Sequence, residues 1–178
     1  MKYKVTISGS GGQSVIFAAK ILVRAAERDG FKSIWLPLQV SEMRGSEASC
    51  VIILEKEPYS MYDSCDDDIL IAMSRQAILR FGNNMNSIII TDEKFAKLCG
   101  GNAVCVNTDE CSQGASLEGL NNLLMIGAML AETDIIKSCN IYKALEEHIG
   151  GRAAQRNIDA VEYGRQKAYR KRLQREIV

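Results

Sequence analysis

The sequence predicts an α/β protein built on a mainly parallel sheet. Three observations carry this. Short apolar runs alternate with helix-periodic stretches through the first two-thirds of the chain. A glycine-rich turn joins the first such strand to the first such helix, and the last third reads as helix. Unbroken apolar runs, as opposed to alternating ones, suit strands covered on both faces.

The elements follow in order. Tyr3–Ile7 is a strand that enters Gly9-Ser10-Gly11-Gly12-Gln13-Ser14, and a helix follows with Val15, Ile16, Ala19, Ile21, Leu22, Ala25 and Ala26 at apolar spacing. Lys32–Leu36 is a second strand, followed by an irregular segment over Pro37–Glu47. Ala48–Leu54 is a third, and Asp68–Ala72 a short fourth, entered through the solvated aspartates at 66–68. Ser74 is placed to cap a helix through Phe81. Asn86–Thr91 and Ala103–Val106 supply two more strands. Helices are expected over Leu117–Glu132, Ser138–His148 and Ala154 to the terminus, the last strongly basic. The expected architecture is one Rossmann-like domain over 1–178, with helices on both faces of the sheet and a helical C-terminal third.

Bulk properties narrow the function. Lys plus Arg and Asp plus Glu balance at 22 each, so no global charge invites nucleic acid or an anionic membrane surface. No apolar run nears membrane-spanning length and the start lacks a signal-peptide core, so a cytoplasmic location is expected. The cysteines Cys50, Cys65, Cys99, Cys105, Cys111 and Cys139 show no CxxC or zinc spacing, and are read as small apolar fillers in a reducing compartment. No metal site is expected. His148, the single histidine, sits on the charged face of a late helix, which suits a solvent-facing role.

The glycine turn is the strongest local signal. Glycines let the backbone turn and approach closely, while the first N–H groups of the helix favour an anion. Gly9-x-Gly11-x-x-Ser14 meets only part of the dinucleotide fingerprint. The second strand ends in Trp35-Leu36-Pro37-Leu38-Gln39, without the acid that would hold a ribose, so NAD is disfavoured. A Walker loop is excluded because no Gly-Lys-Ser/Thr ending follows. A turn that only packs strand on helix stays open as the plain alternative. No catalytic residue set is found. The chain by itself does not look like a complete enzyme.

A second constellation follows the second strand, where Glu42 and Arg44 offer a charge pair and Gly45 a turn. Both loops leave carboxyl ends of strands, so they should border one crevice, where Arg44 can hold a carboxylate or phosphate in a bidentate manner. A loop-ordering Glu42–Arg44 ion pair is the competing reading.

These residues resemble the gamma subunit, or gamma domain, of the 2-oxoacid:ferredoxin oxidoreductases. The family's Gly-x-Gly-Gly-Gln-Gly is matched by Gly9, Gly11, Gly12 and Gln13. Its Trp-Leu-Pro segment and Glu-Met-Arg-Gly-Gly are matched by Trp35-Leu36-Pro37 and Glu42-Met43-Arg44-Gly45. Cys50–Leu54 resembles the Cys and apolar strand that come next. Asn121 or Asn122 through Gly127-Ala128, and Asn157 to Ala160 and Gly164, resemble the later Asn-x-x-x-x-Gly-Ala and Asn-x-x-Ala-x-x-x-Gly. The Trp-Leu-Pro and Glu-Met-Arg-Gly wording looks most like the 2-oxoglutarate branch, with pyruvate, branched-chain oxoacid and indolepyruvate branches open. Ser14 and Ser46 depart from the pattern, each standing where it has glycine.

The resemblance implies a non-thiamine-binding subunit of an enzyme that oxidatively decarboxylates a 2-oxoacid to its acyl-CoA with ferredoxin as acceptor. It implies thiamine diphosphate, magnesium and iron–sulfur clusters in the complex, with none of them carried by this chain. Partners would be alpha and beta subunits, with a ferredoxin-like delta subunit as a further candidate. A homodimer stays open for the isolated chain. Gly9, Gly11, Gly12, Gln13, Glu42, Arg44 and Gly45 are the candidate contacts to coenzyme A. Two other readings stand beside this. A stand-alone nucleotide- or flavin-binding module would rest on the glycine turn alone, and a purely structural interaction subunit would show large apolar association surfaces.

Overall fold

The computed structural model describes residues 2–39, 46–56, 69–83, 87–99 and 103–176. Six strands form one sheet: β1 (Lys2–Ser10), β2 (Lys32–Gln39), β3 (Glu47–Glu55), β4 (Ile69–Ala72), β5 (Ile88–Asp92) and β6 (Ala103–Val106), in the order β2-β3-β1-β4-β5-β6. β1, β4, β5 and β6 pair in parallel. β3 is antiparallel to both β1 and β2, so it alone runs against the rest and the sheet is mainly parallel.

All six expected strands are present, with altered ends. β1 continues past Ile7 to Ser10 because its ladder with β3 runs on to the Ser10↔Glu47 pair. β2 extends to Gln39 through a register shift between Pro37 and Gln39, which fits a proline lacking the ladder donor. Of the irregular segment expected over Pro37–Glu47, Pro37–Gln39 and Glu47 are therefore strand, and residues 40–45 lie outside the described residues. Asp66, Asp67 and Asp68 lie outside the described residues.

The helices are α1 (Val15–Arg28), α2 (Arg75–Phe81), α3 (Thr108–Ala115), α4 (Asn121–Glu132), α5 (Ser138–Ile149) and α6 (Gly151–Glu176), with a 3-10 helix over Glu93–Leu98. α1 buries Val15, Ala18, Ala19, Ile21, Leu22, Ala25 and Ala26, the stripe its periodicity requires. It ends in a Schellman closure: the Phe31 N–H donates to the Ala26 carbonyl and the Gly30 N–H to the Glu27 carbonyl, with Gly30 at φ 83°. Ser74 caps α2 as expected, accepting from the Ala77 N–H at 3.0 Å. The helix expected from Leu117 begins at Asn121 instead, because Gly119 turns the chain at φ 79°. α6 begins at Gly151, three residues before the expected Ala154.

The helical cover is unequal. On one face α1, α4, α5 and α6 build the main core, and α4 is buried from Asn122 through Leu130, which places it between the sheet and α6. On the other face α2 and the 3-10 helix close a smaller cluster of Leu70, Ala72, Ala77, Ile78, Ile89, Ala103 and Cys105. α4 and α6 meet backbone to backbone. A Cβ on Gly127 would fall on the Val161 carbonyl oxygen and lie 2.7 Å from the Arg165 nitrogen; one on Gly164 would fall on the Leu124 carbonyl oxygen. β2 lies at one edge of the sheet and exposes Ile34, Trp35, Leu36 and Leu38 at between 36% and 50%.

Candidate functional site

β1 delivers the glycine loop to the carboxyl edge of the sheet. There the chain departs in opposite lateral directions from β1 and β4, the crevice where ligands gather in open α/β sheets. The glycines answer different demands. A Cβ on Gly9 would come 2.5 Å from Gln13 Oε1 and 3.0 Å from Met73 Cβ, so that position is small because the protein itself fills the space. Gly12 sits at φ 94°, a conformation that disfavours side chains, and nothing crowds it. The Gly11 N–H donates to the Ser46 carbonyl at 2.6 Å, which ties the loop to the start of β3.

Gln13 acts as a clamp. Its Oε1 accepts from the Ser10 N–H at 2.7 Å and its Nε2 donates to the Met73 carbonyl at 3.0 Å, while the Met73 N–H donates to the Ser8 carbonyl. The side chain therefore closes the gap between the ends of β1 and β4, and both ends of its carboxamide are spent inside the fold. Gln13→Glu keeps the acceptor but loses the donor, setting two acceptors against each other. It should lower stability by about 2 kcal/mol at neutral pH. The deficit should shrink on acidification, because a protonated carboxyl can again donate to Met73 and its folded pKa is raised. Urea unfolding at two pH values checks this, and a parental midpoint at both would refute the clamp.

With those bonds made, the amides of Gly12 and Ser14 find no acceptor among the described residues, and both residues are exposed. Ser14 stands at φ 52°, ψ 42° as the N-cap of α1, and its hydroxyl makes no capping bond. A left-handed residue there is costly for any side chain, by about 1 kcal/mol or more, which explains why glycine suits the position. What remains is an open helix N-terminus flanked by two outward amides, an arrangement that favours an anion.

Two residues outside the expected contacts also meet at this edge. Glu47, opposite Ser10 in the ladder, accepts the Ser74 hydroxyl at 3.0 Å, so β3 and the cap of α2 are joined across the ends of β1 and β4. Asn122, in the first turn of α4, donates from Nδ2 to the Ser14 carbonyl at 3.3 Å. Of the two asparagines left open by the sequence, Asn122 is the one that reaches the loop. The resemblance to Asn-x-x-x-x-Gly-Ala had marked this pair without saying what either does.

Of the expected contacts, Gly9, Gly11, Gly12 and Gln13 come together in this loop. Glu42, Arg44 and Gly45 lie outside the described residues. Ser46, the residue after Gly45, is the one bonded to Gly11. His148 is exposed and packs on Phe17, in the first turn of α1, with ring centroids 5.6 Å apart. Among the described residues no three His, Cys, Asp or Glu side chains gather as a metal site would require. Burial pushes the Cys50 and Cys111 thiols up to about 11, in keeping with small apolar fillers of the core. Cys65 lies outside the described residues. Among these residues no helix is long and apolar enough to cross a membrane.

Comparison with known proteins brings in a second line of support. The family model for pyruvate ferredoxin/flavodoxin oxidoreductase matches residues 4–167. The chain is 25% identical to 2-oxoglutarate synthase subunit KorC of Methanocaldococcus jannaschii, covering 92% of each chain. It is 25% identical to pyruvate synthase subunit PorC of Methanothermobacter thermautotrophicus, covering 88% of this chain and 91% of that one. It is 28% identical to ketoisovalerate oxidoreductase subunit VorA of the same organism, over 72% of this chain but 28% of that one. Among solved structures, the gamma subunit of a keto/oxoacid ferredoxin oxidoreductase from Geobacter sulfurreducens superposes with TM-score 0.73 at 22% identity, covering 93% and 98% of the two chains. The 2-oxoglutarate:ferredoxin oxidoreductase of Magnetococcus marinus, solved with 2-oxoglutarate, coenzyme A and succinyl-CoA bound, gives TM-score 0.80 at 17% identity, over 94% of this chain and 31% of that one. The latter two likenesses speak for the fold. The relatives span three oxoacids, so they do not single out 2-oxoglutarate.

Proposed function

The chain belongs to the pyruvate ferredoxin/flavodoxin oxidoreductase family, and from that premise we propose that it is the gamma subunit of a cytoplasmic 2-oxoacid:ferredoxin oxidoreductase, acting as one domain over 1–178. The family match over residues 4–167 carries the reading. In this assembly partner alpha and beta subunits bring thiamine diphosphate, magnesium and iron–sulfur clusters. The thiamine supplies the electron sink for decarboxylation, and ferredoxin takes the electrons. The oxoacid is a property of those partners.

This chain contributes surface and charge. The open amides of Gly12 and Ser14 at the head of α1 suit a phosphate of coenzyme A at the subunit junction. Arg44 is assigned the counter-charge, because the residue two places on, Ser46, is fastened to Gly11. Gln13 serves by shaping the loop rather than by touching the ligand. The exposed apolar side chains of β2 support docking on a catalytic subunit. In VorA and the Magnetococcus enzyme the matching region is under a third of a longer chain, so neighbouring regions there are covalently attached.

Anaerobic affinity purification from the native host tests the assignment. A co-purifying thiamine- and cluster-containing complex that reduces a viologen dye with a 2-oxoacid and coenzyme A is expected. Recovery of the chain alone, without oxoacid-dependent activity, would move the reading to a nucleotide-binding module. Within the complex, Arg44→Ala should raise the KM for coenzyme A roughly tenfold or more, the loss of one charge-assisted contact. An unchanged KM would remove Arg44 from the site.

A further inference from the structure

Asn122 is out of character with its surroundings. The rest of α4 from Leu123 to Leu130 is apolar and buried, yet Asn122, at 3% exposure, brings a carboxamide into the same layer. A buried carboxamide needs partners, and its Nδ2 finds the Ser14 carbonyl 108 residues away in sequence. That carbonyl also accepts the Ala18 N–H at 3.1 Å, the first bond of α1. Two donors on one oxygen hold the Ser14–Val15 peptide from two directions. The peptide is a rigid trans plane, so its carbonyl and its N–H point opposite ways. Pinning the Ser14 carbonyl toward α4 and the body of α1 thereby aims the Val15 N–H past the helix end, alongside the amides of Gly12 and Ser14.

Ser14 needs this help. It occupies the left-handed region at φ 52°, and its own hydroxyl makes no bond to the helix. We infer that Asn122 is a positioning residue for the anion-binding loop: it holds Ser14 in its left-handed conformation and so orients the first amides of α1 toward coenzyme A. The inference rests on the reading of that loop as part of the coenzyme A site. It also makes α4 a support for the loop, in addition to its place in the core.

The test is made on the assembled oxidoreductase. Asn122→Ala should raise the KM for coenzyme A about tenfold while the KM for the 2-oxoacid stays put, a split that general loss of structure would not produce. Adding Ser14→Gly should restore the coenzyme A KM, because glycine enters the left-handed region without support. Ser14→Val, which strains the same backbone without touching α4, should reproduce the defect, and it decides the matter if Asn122→Ala fails to assemble. A parental coenzyme A KM in Asn122→Ala, or in Ser14→Val where the first variant is lost, overturns the inference. So does a loss shared by both substrates that Ser14→Gly does not rescue. If Arg44→Ala raises the KM while Asn122→Ala does not, the inference falls and the proposed function stands. If neither moves it, the loop is not the coenzyme A site: the inference and the coenzyme A role proposed for this chain both fall, while the subunit assignment rests on co-purification.

Discussion

Gly127→Ala is expected to cost about 3 kcal/mol of stability, although alanine is the better helix former by about 1 kcal/mol. The reason lies in what the methyl would meet. Its carbon falls on the Val161 carbonyl oxygen and 2.7 Å from the Arg165 nitrogen, both backbone atoms of α6. A flexible side chain could swing aside; a helix backbone can only move as a body. Gly164→Ala should cost a similar amount, because its methyl meets the Leu124 carbonyl from the other side. The double variant should cost less than the sum, since helices already forced apart have room for the second methyl. Urea unfolding reads all three. A Gly127→Ala midpoint within about 0.5 kcal/mol of the parent would mean that the close approach of α4 and α6 is not maintained in solution.

Leu36→Asp has the opposite profile, a large effect on assembly and little on the fold. Leu36 is 49% exposed on the edge strand, so the isolated chain should unfold at nearly its parental midpoint. At an interface with a catalytic subunit the same change removes an apolar anchor and leaves a carboxylate facing a dry surface. Loss of more than about 2 kcal/mol, or about thirtyfold weaker association, is expected. Co-purification with the tagged catalytic partner reports it directly. Parental recovery of the complex from Leu36→Asp, and from Ile34→Asp beside it, would show that β2 faces solvent in the assembly.

How much of this was legible follows from the physics of each element. The strands were readable because unbroken apolar runs have few other uses. The direction of β3 was not, since a strand buried along most of its length looks the same run either way. α3, with the sequence TDECSQGA, gave no apolar period; it is held at its start by Asn107, which accepts the Glu110 N–H. The glycine loop was recognisable, but the reasons for its glycines were not. Gly9 is small to admit Gln13, which only the fold can show. The late motifs turned out to divide by task. Asn122 reaches the loop, whereas Gly127 and Gly164 let two helices touch. Residue spacing alone could not separate a loop-supporting position from a helix-packing one, because both demands select small or polar side chains.

The place of β1 carries one further consequence. It lies inside the sheet with a ladder on either side, and it hands the chain to the loop without slack. Ser10, Gly11 and Gln13 are each fastened within a few residues of that ladder. A flexible loop must give up conformational entropy when it closes on a guest; this one has given it up during folding. An anion bound at α1 as proposed would therefore meet a cradle already set, and keep as affinity what ordering would have consumed. A loop fastened this way has little closing of its own to do, so the timing of entry and release would fall to its neighbours.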